Sequence, residues 1–270
     1  MRTELKFTLV ILLLIGYFLY QFVILAIILN PEFYHNNTEN ILYSVGDGIT
    51  AASYLLFVAL IIAELKNLEE FHLDKFTILT FIIFSLLRRR FGIFGEPIFL
   101  VIIGLSGVLT AFALIIKKPV LPKTKIYWAM IGIITAGLSI IFITYIELLL
   151  RGAWDLSPLI GGSVPITAIS QIINDISTSA LLEELLFRSF LWGYLRRRGW
   201  AENKIFWIQN LLFWLMHPTR IFTPFSFFFS IPLLSFISSK LTYHSKQIFP
   251  AILSHTVFNA ISAVLNLATF

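Results

Sequence analysis

Cysteine is absent from this chain of 270 residues, which excludes disulfides, thiolate metal ligands and a cysteine nucleophile. Any metal would need histidine and carboxylate ligands. Charge is scarce too: Asp, Glu, Lys and Arg make up 13% of the chain against 58% hydrophobic residues, about half the charged share of an average soluble domain. Water cannot solvate such a composition as a globule. There is no HExxH pair, no internal repeat, no low-complexity tract and no basic, aromatic-interleaved segment. Nucleic acid is therefore not an expected partner, and the net charge of +5 suits anionic lipid instead.

What the chain does have is a series of uncharged apolar runs: Phe7 to Leu29, Gly48 to Ala63, Pro97 to Ile116, Ile126 to Ile146, Ile221 to Ser239 and Gln247 to Phe270. Several reach the roughly 20 residues a helix needs to cross a bilayer core. Adding the shorter Phe76 to Leu87 and Ile205 to Met216 and an amphipathic stretch from Thr167 to Leu195 predicts an all-α, polytopic transmembrane bundle of about eight helices. Phe7 to Leu29 follows Arg2 and Lys6 as a signal peptide would, but it is too long and lacks a small-residue cleavage site, so it reads as a retained span.

Basic residues cluster at Arg2 and Lys6, at Lys117 to Lys125, at Arg196 to Arg198, and at Lys240 and Lys246. Even numbers of spans separate them. All four are expected on the cytoplasmic side with the N-terminus, and the Asn30 to Asn40 loop outside. Arg88 to Arg90 break the pattern, so Phe76 to Leu87 is either re-entrant or carries arginines that snorkel at the other face. Polar breaks at Lys117 to Lys125 and near Arg151 to Gly162 divide the chain into N-terminal helices (1–150) of unassigned role and a C-terminal core (155–270).

An ionisable side chain inside a span costs roughly 2.5–3.5 kcal/mol on insertion scales, so each needs a partner or a purpose. The C-terminal half concentrates them. Glu184 and Arg188 are four apart and share a helical face, whereas Glu183 points about 100° away and lacks a local partner. Phe213 and His217 share a face, with Pro218 ending that helix, and His255 and Asn259 do the same in the last span. Counting from the nearest basic residue puts Glu183 13 residues from Arg196, His217 13 from Lys204 and His255 nine from Lys246, which is roughly 20, 20 and 14 Å deep. Gln171, Asn174, Asp175 and Thr178 form a polar stripe expected to line a wet entrance on the same helix as Glu183.

The ordered set Glu183-Glu184-x-x-x-Arg188, Phe213-x-x-x-His217 and His255-x-x-x-Asn259, on successive apolar helices, resembles the CPBP family of intramembrane peptidases, which holds the CAAX prenyl proteases and the bacteriocin-processing Abi proteins. The resemblance covers Thr167 to Phe270. It implies an intramembrane endopeptidase acting on a membrane-associated protein or peptide. In that reading Glu183 activates a water, His217 assists, His255 and Asn259 stabilise the oxyanion, and Glu184 with Arg188 is a structural ion pair. The resemblance leaves the cofactor open between none and a zinc ion held by Glu183, His217 and His255. Two rivals keep the same spans: a non-catalytic relative conferring bacteriocin self-immunity through a partner, and a transporter, which would call for inverted repeats that are not evident.

Overall fold

The computed structural model describes residues 3–30, 36–87, 97–151 and 164–265. Arg88 to Arg90 and residues 152–163 of the second expected boundary lie outside them. Among the described residues there is no strand. The helices are α1 (Thr3–Leu29), α2 (Asn36–Ala63), α3 (Lys75–Leu87), α4 (Pro97–Lys117), α5 (Ile126–Arg151), α6 (Val164–Ser177), α7 (Ser179–Glu184), α8 (Trp192–Arg197), α9 (Glu202–Leu215), α10 (Ile231–Ser245) and α11 (Phe249–Val264). The fold is an all-α helical bundle.

Four helical stretches are long and apolar enough to cross a membrane: Thr3–Leu29, Ser44–Ala63, Pro97–Lys117 and Ile126–Leu150. Their outward residues are apolar, with Ile115 69%, Leu138 65% and Leu150 74% exposed, which is the surface of a protein solvated by lipid rather than water. With four such spans and this outward surface, it is an integral membrane protein. Residues 36–40, expected in a loop, instead begin α2.

The second half is more broken than its hydropathy predicts. One helix was expected from Thr167 to Leu195, but α6 stops at Ser177 and Thr178 adopts φ −137°, ψ −93°. The Ser177 and Thr178 hydroxyls both donate to the Asn174 carbonyl, at 2.9 and 2.7 Å, and compete with the backbone ladder there. Between α7 and α8, Leu185–Leu191 is a π-helical turn. The run from Ile221 to Ser239 opens with a 3-10 turn (Pro218–Phe222) and a π-turn (Ser226–Ser230) before α10 starts. The Trp214 indole N–H donates to the Phe227 carbonyl inside that π-turn, at 2.8 Å.

The two halves share a core. Tyr54 and Phe57 of α2, Phe81 of α3, and Phe187, Phe190, Trp192 and Tyr194 are buried in one cluster, with the Phe57 and Phe190 rings stacked at 5.7 Å. On the other side α5 covers α11: Ala136 and Ile140 pack with Phe258. A methyl group on Gly132 would lie 2.6 Å from the Pro250 carbonyl oxygen, so the two backbones meet where no side chain fits.

All four basic clusters meet at one end of the bundle. Lys6 Nζ lies 2.6 Å from Glu64, Arg197 makes two 3.0 Å bonds to the same carboxylate, and Arg197 also reaches Glu70 at 2.7 Å. Arg198 pairs with Glu4 and Arg196 with Glu202. Lys125 Nζ donates to the Ser245 carbonyl at 2.9 Å, and the Ile248 N–H to the His72 carbonyl at 3.0 Å. Burial alone would raise the Glu64 pKa, but the hydrogen bonds from Arg197 and Lys6 outweigh it and hold the carboxyl below its ordinary value. Burial, with Arg196 and Lys246 nearby, pushes His72 down to about 3. His72 is therefore a neutral ring whose Nε2 accepts from Arg196 at 2.8 Å.

Because the folded pKa of Glu64 lies below its unfolded value, its stabilisation is complete above the ordinary carboxylate range and is lost as pH falls through the folded value. Glu64→Gln is expected to cost about 3 kcal/mol at neutral pH, measured as melting temperature in detergent. Its deficit against the wild type should shrink in acid. Gly132→Leu is expected to lower the melting temperature by prising α5 from α11, at a cost of about 1–3 kcal/mol.

Candidate active site

The C-terminal helices bring the motif residues to a common interior. Glu183 and Glu184 end α7, just ahead of the π-helical turn, a departure from α geometry that recurs at functional sites. The two carboxylates then part. Glu184 is wholly enclosed. Its Oε1 lies 3.0 Å from His255 Nδ1 of α11, and its carboxylate lies 3.5 Å from the Arg188 guanidinium.

Arg188 is also fully buried, and every side of its guanidinium is occupied. It donates to the Ser235 hydroxyl and carbonyl at 2.8 and 3.1 Å and to Ser239 at 3.4 Å, and it stacks 4.3 Å over the Phe213 ring. Ser235 and Ser239 in turn donate to Asn210 Oδ1, at 2.6 and 2.9 Å. A charge with no exposed surface survives in lipid only when so compensated.

Glu183 is arranged differently. Neither Oε2 has a hydrogen-bond partner, but that of Glu184 lies 3.5 Å from the Arg188 guanidinium, whereas that of Glu183 lies 3.9 Å from His217 Nε2. The two side chains are 14% and 15% exposed, against 0% for Glu184 and 3% for His255, so theirs is the less enclosed carboxylate and imidazole. α9 stops at Leu215, and His217 begins the 3-10 turn with its Nδ1 2.7 Å from the Phe213 carbonyl. That bond puts the ring proton on Nδ1 and leaves the Nε2 lone pair toward Glu183. Phe213 is the hub, with its ring 4.9 Å from His217, 5.9 Å from His255 and 5.4 Å from Phe187.

His255 was expected beside Glu183, but the carboxylate on its Nδ1 is Glu184. Among the described residues no three His, Asp or Glu side chains form a group able to hold a metal ion. His255 Nδ1 is turned to Glu184, which orients the ring and leaves its Nε2 without a partner from that carboxylate. Asn259 is buried with its Oδ1 unpartnered, and its side chain meets Asp175.

Two further charged groups belong to the site. Asp175, at the end of α6, accepts from Gln171 and Ser179, each at 2.9 Å, and acts electrostatically on Glu183 and His255. The expected entrance stripe thus turns inward at Asp175, because the break at Thr178 reorients α6. Arg220, in the 3-10 turn after His217, acts on both Glu183 and His217. Its signal in the sequence was a lone cation between Pro218 and an apolar run.

Residues 165–261 match the family model described as Rce1-like, type II CAAX prenyl endopeptidase. The Rce1-like stretch runs from the start of α6 into α11 and takes in Glu183, Glu184, Arg188, Phe213, His217, His255 and Asn259. The CAAX-protease resemblance read from the three motifs is the one the family model finds. At family level it supports an intramembrane peptidase. No curated protein and no solved structure gave a match.

Glu184→Ala leaves Arg188 without its carboxylate and is expected to cost about 3–5 kcal/mol. Glu183→Gln, at a group with a free Oε2, should cost less than about 1 kcal/mol. Melting both variants in the same detergent separates the two carboxylates. Equal losses would contradict the geometry.

Proposed function

We propose that the chain is an intramembrane endopeptidase that cleaves a membrane-associated protein or peptide by attack of a water activated by Glu183. The observation that carries the reading is the Glu183–His217 pair: partly exposed, and 3.9 Å apart, too far for a direct hydrogen bond and suited to a bridging water. It adjoins a second carboxylate already committed to Arg188 and His255.

In this reading the water, bound between Glu183 and the His217 Nε2 lone pair, passes a proton to Glu183 as its oxygen attacks the substrate carbonyl carbon. His255, anchored through Nδ1 to Glu184, turns its other nitrogen away from that carboxylate. As an imidazolium it donates from Nε2 to the oxyanion, with the Asn259 amide as the second donor. The tetrahedral intermediate then breaks its C–N bond, and Glu183 returns the proton to the departing amine. Arg188, Ser235 and Ser239 position the Glu184–His255 pair without touching substrate.

The Rce1-like match supports, as the substrate class of this reading, proteins or peptides with CAAX-type C-termini, prenylated or otherwise lipid-associated. Positive charge at the shared end of the bundle favours placing that end, and the N-terminus, in the cytoplasm. In this reading glutamate and histidine supply the acid–base chemistry and no metal is invoked.

The test is cleavage of a quenched-fluorophore CAAX peptide, prenylated and unprenylated, by the full chain in lipid vesicles. Glu183→Gln is expected to lower kcat about 10²–10⁴-fold with its melting temperature retained, and a zinc chelator to leave the rate unchanged. Wild-type turnover by Glu183→Gln would refute the mechanism, and loss of activity on chelation that added zinc restores would reinstate a metal.

A further inference from the structure

The basic end of the bundle holds a feature that the peptidase reading does not use. Between the end of α2 and the end of α4 lies a cavity of about 520 Å³, lined by Ile62, Ala63, Leu65, Lys66, Asn67, Lys117, Pro119 and Val120. Its walls are mainly apolar, and its two ionisable groups are both lysines. α2 and α4 are both spans, so the cavity opens at the level where their hydrocarbon-crossing segments finish, at Ala63 and Lys117.

The basic groups of that end divide into those held by acids and those that are not. Lys6, Arg197 and Arg198 each pair with an acid from a distant part of the chain, and Arg196 with Glu202 at the start of α9, and so hold the bundle together. Lys66 and Lys117 pair with no carboxylate among the described residues. The nearest acid in sequence, Glu64, is already taken by Lys6, Arg197, Tyr194 and Asn67. Two unneutralised cations thus converge on an apolar-walled cavity at the membrane interface, and Val120 is 93% exposed at its rim.

We propose that this cavity is a binding site for an anionic phospholipid, with the headgroup phosphate between Lys66 and Lys117 and an acyl chain along Ile62 and Val120. A phosphodiester supplies the missing negative charge, and the chain covers apolar surface that water would otherwise meet. A zwitterionic lipid matches the walls but brings its own cation to two lysines. Inorganic phosphate matches the lysines but leaves the walls uncovered. The site lies outside the Rce1-like stretch, so the proposal stands apart from the peptidase reading.

The experiment titrates the full chain, held in phosphatidylcholine nanodiscs or matched micelles, with short-chain phosphatidylglycerol and follows the melting temperature. A saturable rise is expected with phosphatidylglycerol and none with added phosphatidylcholine or inorganic phosphate. In Lys66→Gln/Lys117→Gln the apparent Kd should rise about 5-fold per lysine and about 30-fold for the pair, with the melting temperature in phosphatidylcholine unchanged. Lys66→Arg/Lys117→Arg should keep binding, and Lys204→Gln, a lysine elsewhere on this end, should not alter it. The proposal fails if the double glutamine variant binds phosphatidylglycerol as the wild type does, if inorganic phosphate reproduces the shift, or if phosphatidylcholine is as effective.

Discussion

The enclosed carboxylate of Glu184 is the constraint around which the C-terminal core is organised. An anion with no exposed surface, on a segment buried along nearly its whole length, must be neutralised from within the bundle. Arg188 does so from the same helix and His255 from α11. Arg188 is then itself a buried charge, and it draws in Ser235, Ser239, Asn210 and the face of Phe213. One carboxylate therefore ties α7, α9, α10 and α11 together. The neighbouring carboxylate, a third of a helical turn away, is the one left uncommitted.

That separation is what makes the proposed chemistry coherent. Two adjacent glutamates in one helix would compete for the same partners if they faced the same way. Here the helical twist directs one to structure and the other to an opening shared with His217. Phe213 keeps the two environments apart, offering one ring to Arg188, His217 and His255 while its carbonyl holds His217 Nδ1. Rotation of that ring would disturb both sides together.

Among the described residues the N-terminal helices contribute no side chain to the cluster, yet the cluster depends on them. α5 lies against α11 at the Gly132 contact, and the Tyr54 hydroxyl of α2 donates to the Ser177 carbonyl at the point where α6 ends, at 2.7 Å. Glu64 and its three basic and phenolic neighbours fasten α1, α2 and α8 at the basic end. Helices that carry polar groups inward have less apolar face to give to lipid, and the long apolar helices supply it.

By itself the sequence determined the class of molecule, the positions of the long spans and the motif residues of the C-terminal half. Apolar runs of bilayer length admit no other fold, and ionisable groups inside them are too costly to be incidental. The i, i+4 spacings of Glu184 with Arg188, Phe213 with His217 and His255 with Asn259 were legible for the same reason: helical geometry is local. What required the tertiary structure was everything that depends on how helices turn against one another. The break at Thr178 brings Asp175 inward, the 3-10 turn after His217 brings Arg220 to Glu183, and the packing of α11 gives His255 to Glu184 instead of Glu183. Each pairing joins residues from different elements, and no periodicity along one chain encodes the rotation that decides which of two adjacent carboxylates an imidazole meets.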